Sequence, residues 1–172
     1  EGLFPDGMPK VDYLRCDRPL VYEVDRLRRI VRDAGIEYVV YDSVGFASDG
    51  PPEAAEVAGR YFRAVRQVGV GSLHIAHMSK ALDGDKKPFG SAFWHNGARA
   101  TWFLKAAEES IGTSTLDLGL YCRKSNLSRL YSPVGLRIAF EPGFTRVMPR
   151  DVADSPSLAG GLTVRQRMFG AL

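Results

Sequence analysis

The sequence predicts an α/β fold, and three observations predict it. Glu37-Tyr38-Val39-Val40-Tyr41-Asp42-Ser43 is an apolar run that ends in polar residues. Ser72-Leu73-His74-Ile75-Ala76-His77-Met78-Ser79-Lys80 is a second such run. One amphipathic helix lies between them. A strand–helix–strand alternation this tight implies parallel pairing with a right-handed crossover. In an open α/β sheet, ligands bind outside the carboxyl ends of the strands. An acid at one strand end, with a His and a Lys at the next, therefore points to a phosphate and metal site.

Before the first run, residues 1–10 carry Gly2, Pro5, Gly7 and Pro9 and read as loop. Residues 11–16 read as a short strand. A helix is expected over 22–34, because Val24, Leu27, Ile30, Val31 and Ala34 form one stripe and Gly35 suits the stop. The first diagnostic strand covers 37–42. Residues 43–51, rich in Gly, Ser and Asp, read as loop. Pro52 suits a first helical turn, and Glu53 and Glu56 suit the positive end of the helix dipole. Ala54, Val57, Ala58, Tyr61, Phe62, Val65 and Val68 then repeat at helical spacing up to Gly69. The second diagnostic strand covers 72–77.

Further on, 81–90 is polar and loop-like, and a short helix is expected over 91–98. Strands are expected over 101–106, 115–123 and 135–141. Residues 143–162 read as a linker, on their Pro and Gly content. Thr163-Val164-Arg165-Gln166 has the capping-box spacing, so 163–172 reads as the start of a helix. There is no internal repeat and no low-complexity tract.

Composition sets the outer bounds. The chain has 172 residues, 45% hydrophobic and 25% charged, enough for one domain with a real core. A net charge of +3 permits a nucleic-acid partner without arguing for one. Cys16 and Cys122 are isolated in sequence, so a reducing compartment is the default. With neither a signal peptide nor an apolar run near 18 residues, the expectation is a cytoplasmic protein without a membrane partner. The chain starts at Glu1 and stops at Leu172 inside a predicted helix, so a piece of a longer protein is expected.

Each candidate residue has two readings. Asp42, after four apolar residues, is placed to orient a Mg²⁺ shell or to cap the next turn. His77 is placed to sense a phosphate or a water, with Lys80 as a mobile cation beside it; the other reading is a core-edge histidine and a solvated lysine. His74 falls on the opposite strand face and reads as a satisfied core residue. With no Cys near, the two histidines do not make a zinc site. Arg99 follows the small turn Asn96-Gly97-Ala98 and reads as a phosphate-stabilising arginine or a surface one. Arg123, Lys124 and Asn126 end a strand, where they meet a phosphate or form a solvated turn. The aromatics Phe93, Trp94, Trp102 and Phe103 suit base stacking or a core. There is no G-x-S-x-G, and Gly69-Val70-Gly71 precedes a strand rather than following one, so neither a nucleophile elbow nor a dinucleotide fingerprint is present.

Taken in order, Tyr38-Val39-Val40-Tyr41-Asp42-Ser43, His77-Met78-Ser79-Lys80, Phe89-Gly90-Ser91-Ala92, Asn96-Gly97-Ala98-Arg99 and Lys124-Ser125-Asn126 resemble the RecA-like ATPases of the plasmid RepA helicase type. Phage and bacterial AAA-type replication ATPases share this layout. The resemblance covers residues 11–142. It implies a mostly parallel, helix-flanked RecA-like sheet with antiparallel strands at its C-terminal edge, and a core over 1–142 that is a partial domain. It implies ATP and Mg²⁺ as cofactors, with Asp42 as the Walker B acid and His77 as the sensor. Arg99 would be the arginine finger of a neighbouring subunit. Asp42, Ser43, Lys80, Lys124 and Asn126 would contact nucleotide or the subunit boundary. The implied partners are further copies, in a ring that is commonly a hexamer, and DNA, as helicase, loader or recombinase. The departure from the family is that no G-x-x-x-x-G-K-[ST] occurs in these residues. Two alternatives stand beside it: a degenerate homologue that does not hydrolyse ATP and serves as a binding or scaffold module, and an unrelated α/β enzyme whose strand-end acid is coincidental. The segment after 162 resembles the first helix of a winged-helix module.

Overall fold

The computed structural model describes residues 10–78, 90–162 and 164. The chain divides into two compact units, Asp12–Ala98 and a second that runs from Arg99 onward.

Residues 10–16 form no ladder, contrary to the strand expected over 11–16. Helix α1 (Leu20–Ala34) buries Leu20, Val24, Leu27 and Val31 and stops at Gly35, whose φ of 64° is the left-handed conformation that glycine adopts without steric cost. Glu23 is buried in its first turn and accepts hydrogen bonds from Arg18 Nε (2.7 Å) and Arg26 Nη1 (3.1 Å). These two arginines hold its carboxyl below the usual range.

Strand β1 (Tyr38–Asp42) is followed by a one-turn helix, α2 (Val44–Ala47), where loop was expected. Helix α3 (Ala55–Val68) starts three residues after Pro52, which precedes the helix instead of opening it. α3 buries Val57, Ala58, Tyr61, Ala64 and Val68 and ends at Gly69, again left-handed. Strand β2 (Gly71–Ile75) pairs with β1 in parallel, from Tyr38 opposite Gly71 to Asp42 opposite Ile75. The parallel pairing expected from the sequence is therefore observed. β2 ends two residues earlier than expected, so His77 stands just beyond the ladder. Helix α4 (Ala92–Gly97) packs Trp94 into the same core, and its indole nitrogen donates to the Pro52 carbonyl at 2.8 Å. Ser91 caps it by accepting from Phe93 N.

The second unit is a four-stranded antiparallel sheet in the order β3 (Ala100–Ala106), β4 (Thr115–Ser125), β5 (Val134–Glu141) and β6 (Phe144–Arg150). The antiparallel C-terminal strands are as expected. The mostly parallel RecA-like sheet is not, because among the described residues parallel pairing is confined to β1 and β2. The reason is local. Pro142-Gly143 links β5 to β6 as a two-residue hairpin, with Gly143 at φ 84°, and a connection this short admits only antiparallel pairing. The same hairpin overturns the linker expected over 143–162. That stretch holds β6, a 3₁₀ turn at Val152–Asp154 and the one-turn helix α5 (Pro156–Ala159). Pro and Gly punctuate turns there rather than loosening the chain. The capping-box helix expected at 163–172 lies outside the described residues, apart from Val164. No helix among the described residues is long and apolar enough to cross a membrane.

One face of this sheet carries α5, and Leu158, Val152 and Ala107 form a small core on it. Tyr121 Oη donates to the Leu158 carbonyl at 2.5 Å. Glu109 fastens the start of α5 by accepting from Ser157 N (2.9 Å) and Oγ, bonds that lower its pKa to about 2. On the same face of the sheet, Asp117 is buried between two arginines. Arg137 grips it side-on through Nε (2.6 Å) and Nη2 (2.7 Å). Arg150 Nε lies 2.8 Å from Asp117 Oδ2 but off the hydrogen-bond axis, so that contact is electrostatic.

Removing the Asp117 carboxylate leaves two partly buried guanidinium groups without their counter-charge. Asp117→Ala should destabilise the protein by about 3 kcal/mol in urea unfolding. The Arg137 hydrogen bonds hold the Asp117 carboxyl below its ordinary value. Its contribution is therefore complete above the unfolded carboxylate pKa of about 4 and is lost as pH falls through the lower folded value. Acid unfolding of the wild type should steepen below about pH 4, and the variant should lose that steepening.

Candidate functional site

The parallel pair brings the carboxyl ends of β1 and β2 to one edge. Strand alternation sorts the side chains there. Tyr41 and His74 turn towards α3, and Asp42 turns to the other face. Asp42 is exposed, and among the described residues its carboxylate has no hydrogen bond or ion pair. The Asp42–Ser43 peptide is cis. Ser43 is buried, and its Oγ has no hydrogen-bond partner. His77 is exposed at the same edge, two residues past Ile75, the partner of Asp42. The structure thus places Asp42, Ser43 and His77 at one strand edge of the first unit. Lys80 lies outside the described residues.

His74 has the core role expected of it. Its Nδ1 meets Tyr61 Oη at 2.8 Å, its Nε2 meets Ser72 Oγ at 2.8 Å, and its ring stacks on Tyr41 with centroids 5.0 Å apart. Both ring nitrogens are used, so it has none to offer a metal. Burial lowers its pKa and favours the neutral ring.

The other predicted residues meet in the second unit. Asn126 N donates to the Arg99 carbonyl at 2.8 Å, Ala100 pairs with Ser125, and Thr101 pairs with Lys124. Arg99, Lys124 and Asn126 therefore share one end of the β3–β4 ladder. Arg99 and Asn126 are exposed there. The aromatics separate: Trp94 is core, Phe93 is exposed, Trp102 stacks on Tyr131 with centroids 5.8 Å apart, and Phe103 stacks on Tyr121.

The residues at the β1 edge suit one kind of metal site. Among the described residues, no group of three or more His, Cys, Asp or Glu is arranged to hold an ion, so no all-protein cage exists there. Mg²⁺ does not need one. It is commonly held by one or two carboxylates together with phosphates and waters. The unengaged Asp42 carboxylate and the unpartnered Ser43 hydroxyl next to it fit that donor set.

Sequence reasoning missed Asp117, Arg137 and Arg150 as a cluster, and missed Tyr61 and Ser72 as the partners of His74. One signal was present for the first. Asp117 interrupts the apolar run Leu116–Leu120, and a charge on a half-buried strand calls for a counter-charge. Compared with known proteins, the sequence matches no family model and no curated relative.

The His74 environment has a measurable consequence. A histidine whose folded pKa is lowered takes up its proton more readily in the unfolded chain. Stability is therefore full above the unfolded pKa of about 6.5 and falls as pH drops below it. The thermal midpoint should fall between pH 7.5 and pH 5.5. His74→Phe should flatten that slope.

Proposed function

We propose that this chain carries the metal-binding strand and a cationic strand edge of a RecA-like ATPase that acts on DNA as a homo-oligomeric ring. The observation that carries the reading is Asp42 and His77 at one carboxyl edge of a parallel strand pair. That is where ligands of open α/β sheets bind. The sequence resemblance supplies the nucleotide and the order of the motifs.

In this reading, bound Mg²⁺ would supply positive charge that offsets the charge developing on the phosphate when water displaces ADP. Asp42 would hold the metal from a rigid strand end; the hydroxyl of the neighbouring Ser43 is buried and has no hydrogen-bond partner among the described residues. His77 donates a hydrogen bond to a γ-phosphate oxygen or to the attacking water. Arg99, exposed at the end of β3, reaches the phosphate of a neighbouring copy and stabilises the transition state. Lys124 and Asn126, at the same ladder end, steady that approach, and Lys80 adds a cation near the phosphates.

The test is Mg²⁺-dependent ATP turnover by the full-length protein, with and without DNA. Asp42→Asn and Arg99→Ala should each lower turnover by about 10²-fold or more. Unchanged turnover in both variants would sink the site assignment. Mixed rings containing both single variants should recover part of the activity, because an arginine acting in trans can serve a neighbour whose own Asp42 is intact.

A further inference from the structure

Arg123 has no part in that scheme, yet it is the most unusual cation among the described residues. It sits at a bulge. Cys122 pairs with Trp102 and Lys124 pairs with Thr101, so Arg123 is the extra residue between two rungs. A bulge of this kind re-aims a side chain, and such bulges are frequent beside functional sites. Here the guanidinium lies over two aromatic faces, 5.5 Å from the Phe103 ring centroid and 5.3 Å from that of Tyr121. The rings are stacked on each other with centroids 5.9 Å apart. They hold the guanidinium plane through cation–π attraction but accept none of its in-plane hydrogen bonds.

Nε and Nη2 of Arg123 are both buried without a hydrogen-bond partner. These two atoms form one edge of the guanidinium, and their parallel N–H bonds match two oxygens of a single anion. The same sheet shows this edge in use, because Arg137 grips Asp117 through its own Nε and Nη2. A buried donor pair without an acceptor is unfavourable, and shielding from water strengthens its attraction for an anion.

We propose that the Nε/Nη2 edge of Arg123 is a receptor for a phosphate oxyanion, held side-on by two parallel hydrogen bonds. The local charge favours phosphate over a carboxylate. Lys124 follows Arg123 directly, and Arg99 stands at the same ladder end, so three cations are gathered where β3 and β4 meet. A doubly charged anion gains more from that field than a singly charged one. The proposal does not rest on the ATPase reading, since phosphate alone is the probe and no turnover is measured.

The experiment is a calorimetric titration of inorganic phosphate into the full 172-residue chain at low ionic strength without Mg²⁺. The wild type should show one saturable site. Arg123→Lys keeps the charge but loses the side-on fork, so it should bind at least about tenfold more weakly. Arg123→Met should show no saturable binding. Acetate should compete poorly. Circular dichroism checks that each variant folds, and if Arg123→Met does not fold, Arg123→Lys decides. The proposal is overturned if the wild type shows no saturable site, if Arg123→Lys binds as tightly as wild type, or if acetate displaces phosphate at equal concentration.

Discussion

The first unit depends on how Tyr61 is seated. A parallel strand pair needs a crossover that packs back on the sheet, and α3 supplies it. Tyr61 lies at the centre of that packing, 1% exposed. Its ring meets Tyr41, Phe62, His74 and Trp94 edge-on, so strands β1 and β2 and helices α3 and α4 converge on one side chain. Its hydroxyl is satisfied by His74, whose other nitrogen is satisfied by Ser72. The network is closed, which is what allows polar groups inside an apolar core.

That closure also determines which residues at the strand edge are available for chemistry. Tyr41 and His74 are used on the helix side, so their sequence neighbours Asp42 and Ile75 must point the other way. Among the described residues Asp42 has no side-chain partner, because the alternation sends it away from the core. The strand end and the crossover helix are thus two consequences of the same packing. The reading of Asp42 as a metal-site acid draws on this geometry for position and on the sequence resemblance for chemistry.

The second unit is organised by charge rather than by aromatic packing. Asp117 draws Arg137 and Arg150 onto the face that carries α5, which ties β4 to β5 and β6 across the sheet. The opposite face is apolar, with Leu104, Leu118, Leu120, Leu136, Ile138 and Val147 among its residues. All three connections between the four strands are shorter than the dozen or so residues a parallel crossover needs, so the antiparallel order follows from chain length between strands. At the far end of the β3–β4 ladder, the bulge at Arg123 sets its guanidinium against the Phe103 and Tyr121 rings.

Much of the local structure was legible in the sequence. The helical stripes of α1 and α3, the glycines that stop them, the two parallel strands and most of β3 to β5 follow from periodicity and from backbone rules that act within a few residues. So does the assignment of His74 to the core, because strand alternation alone separates it from His77. What only the tertiary structure decided has a common cause: it depends on residues far apart in the chain. The stretch after Pro142 becomes a strand because β5 lies beside it to pair with. His74 is neutral and engaged because α3 brings Tyr61 to it. Asp117 is anchored because two later strands carry arginines to its face. Arg123 has an unmatched edge because the ladder skips a rung there. Spacing within one segment records none of these, since each is a contact that exists only when distant elements are packed together.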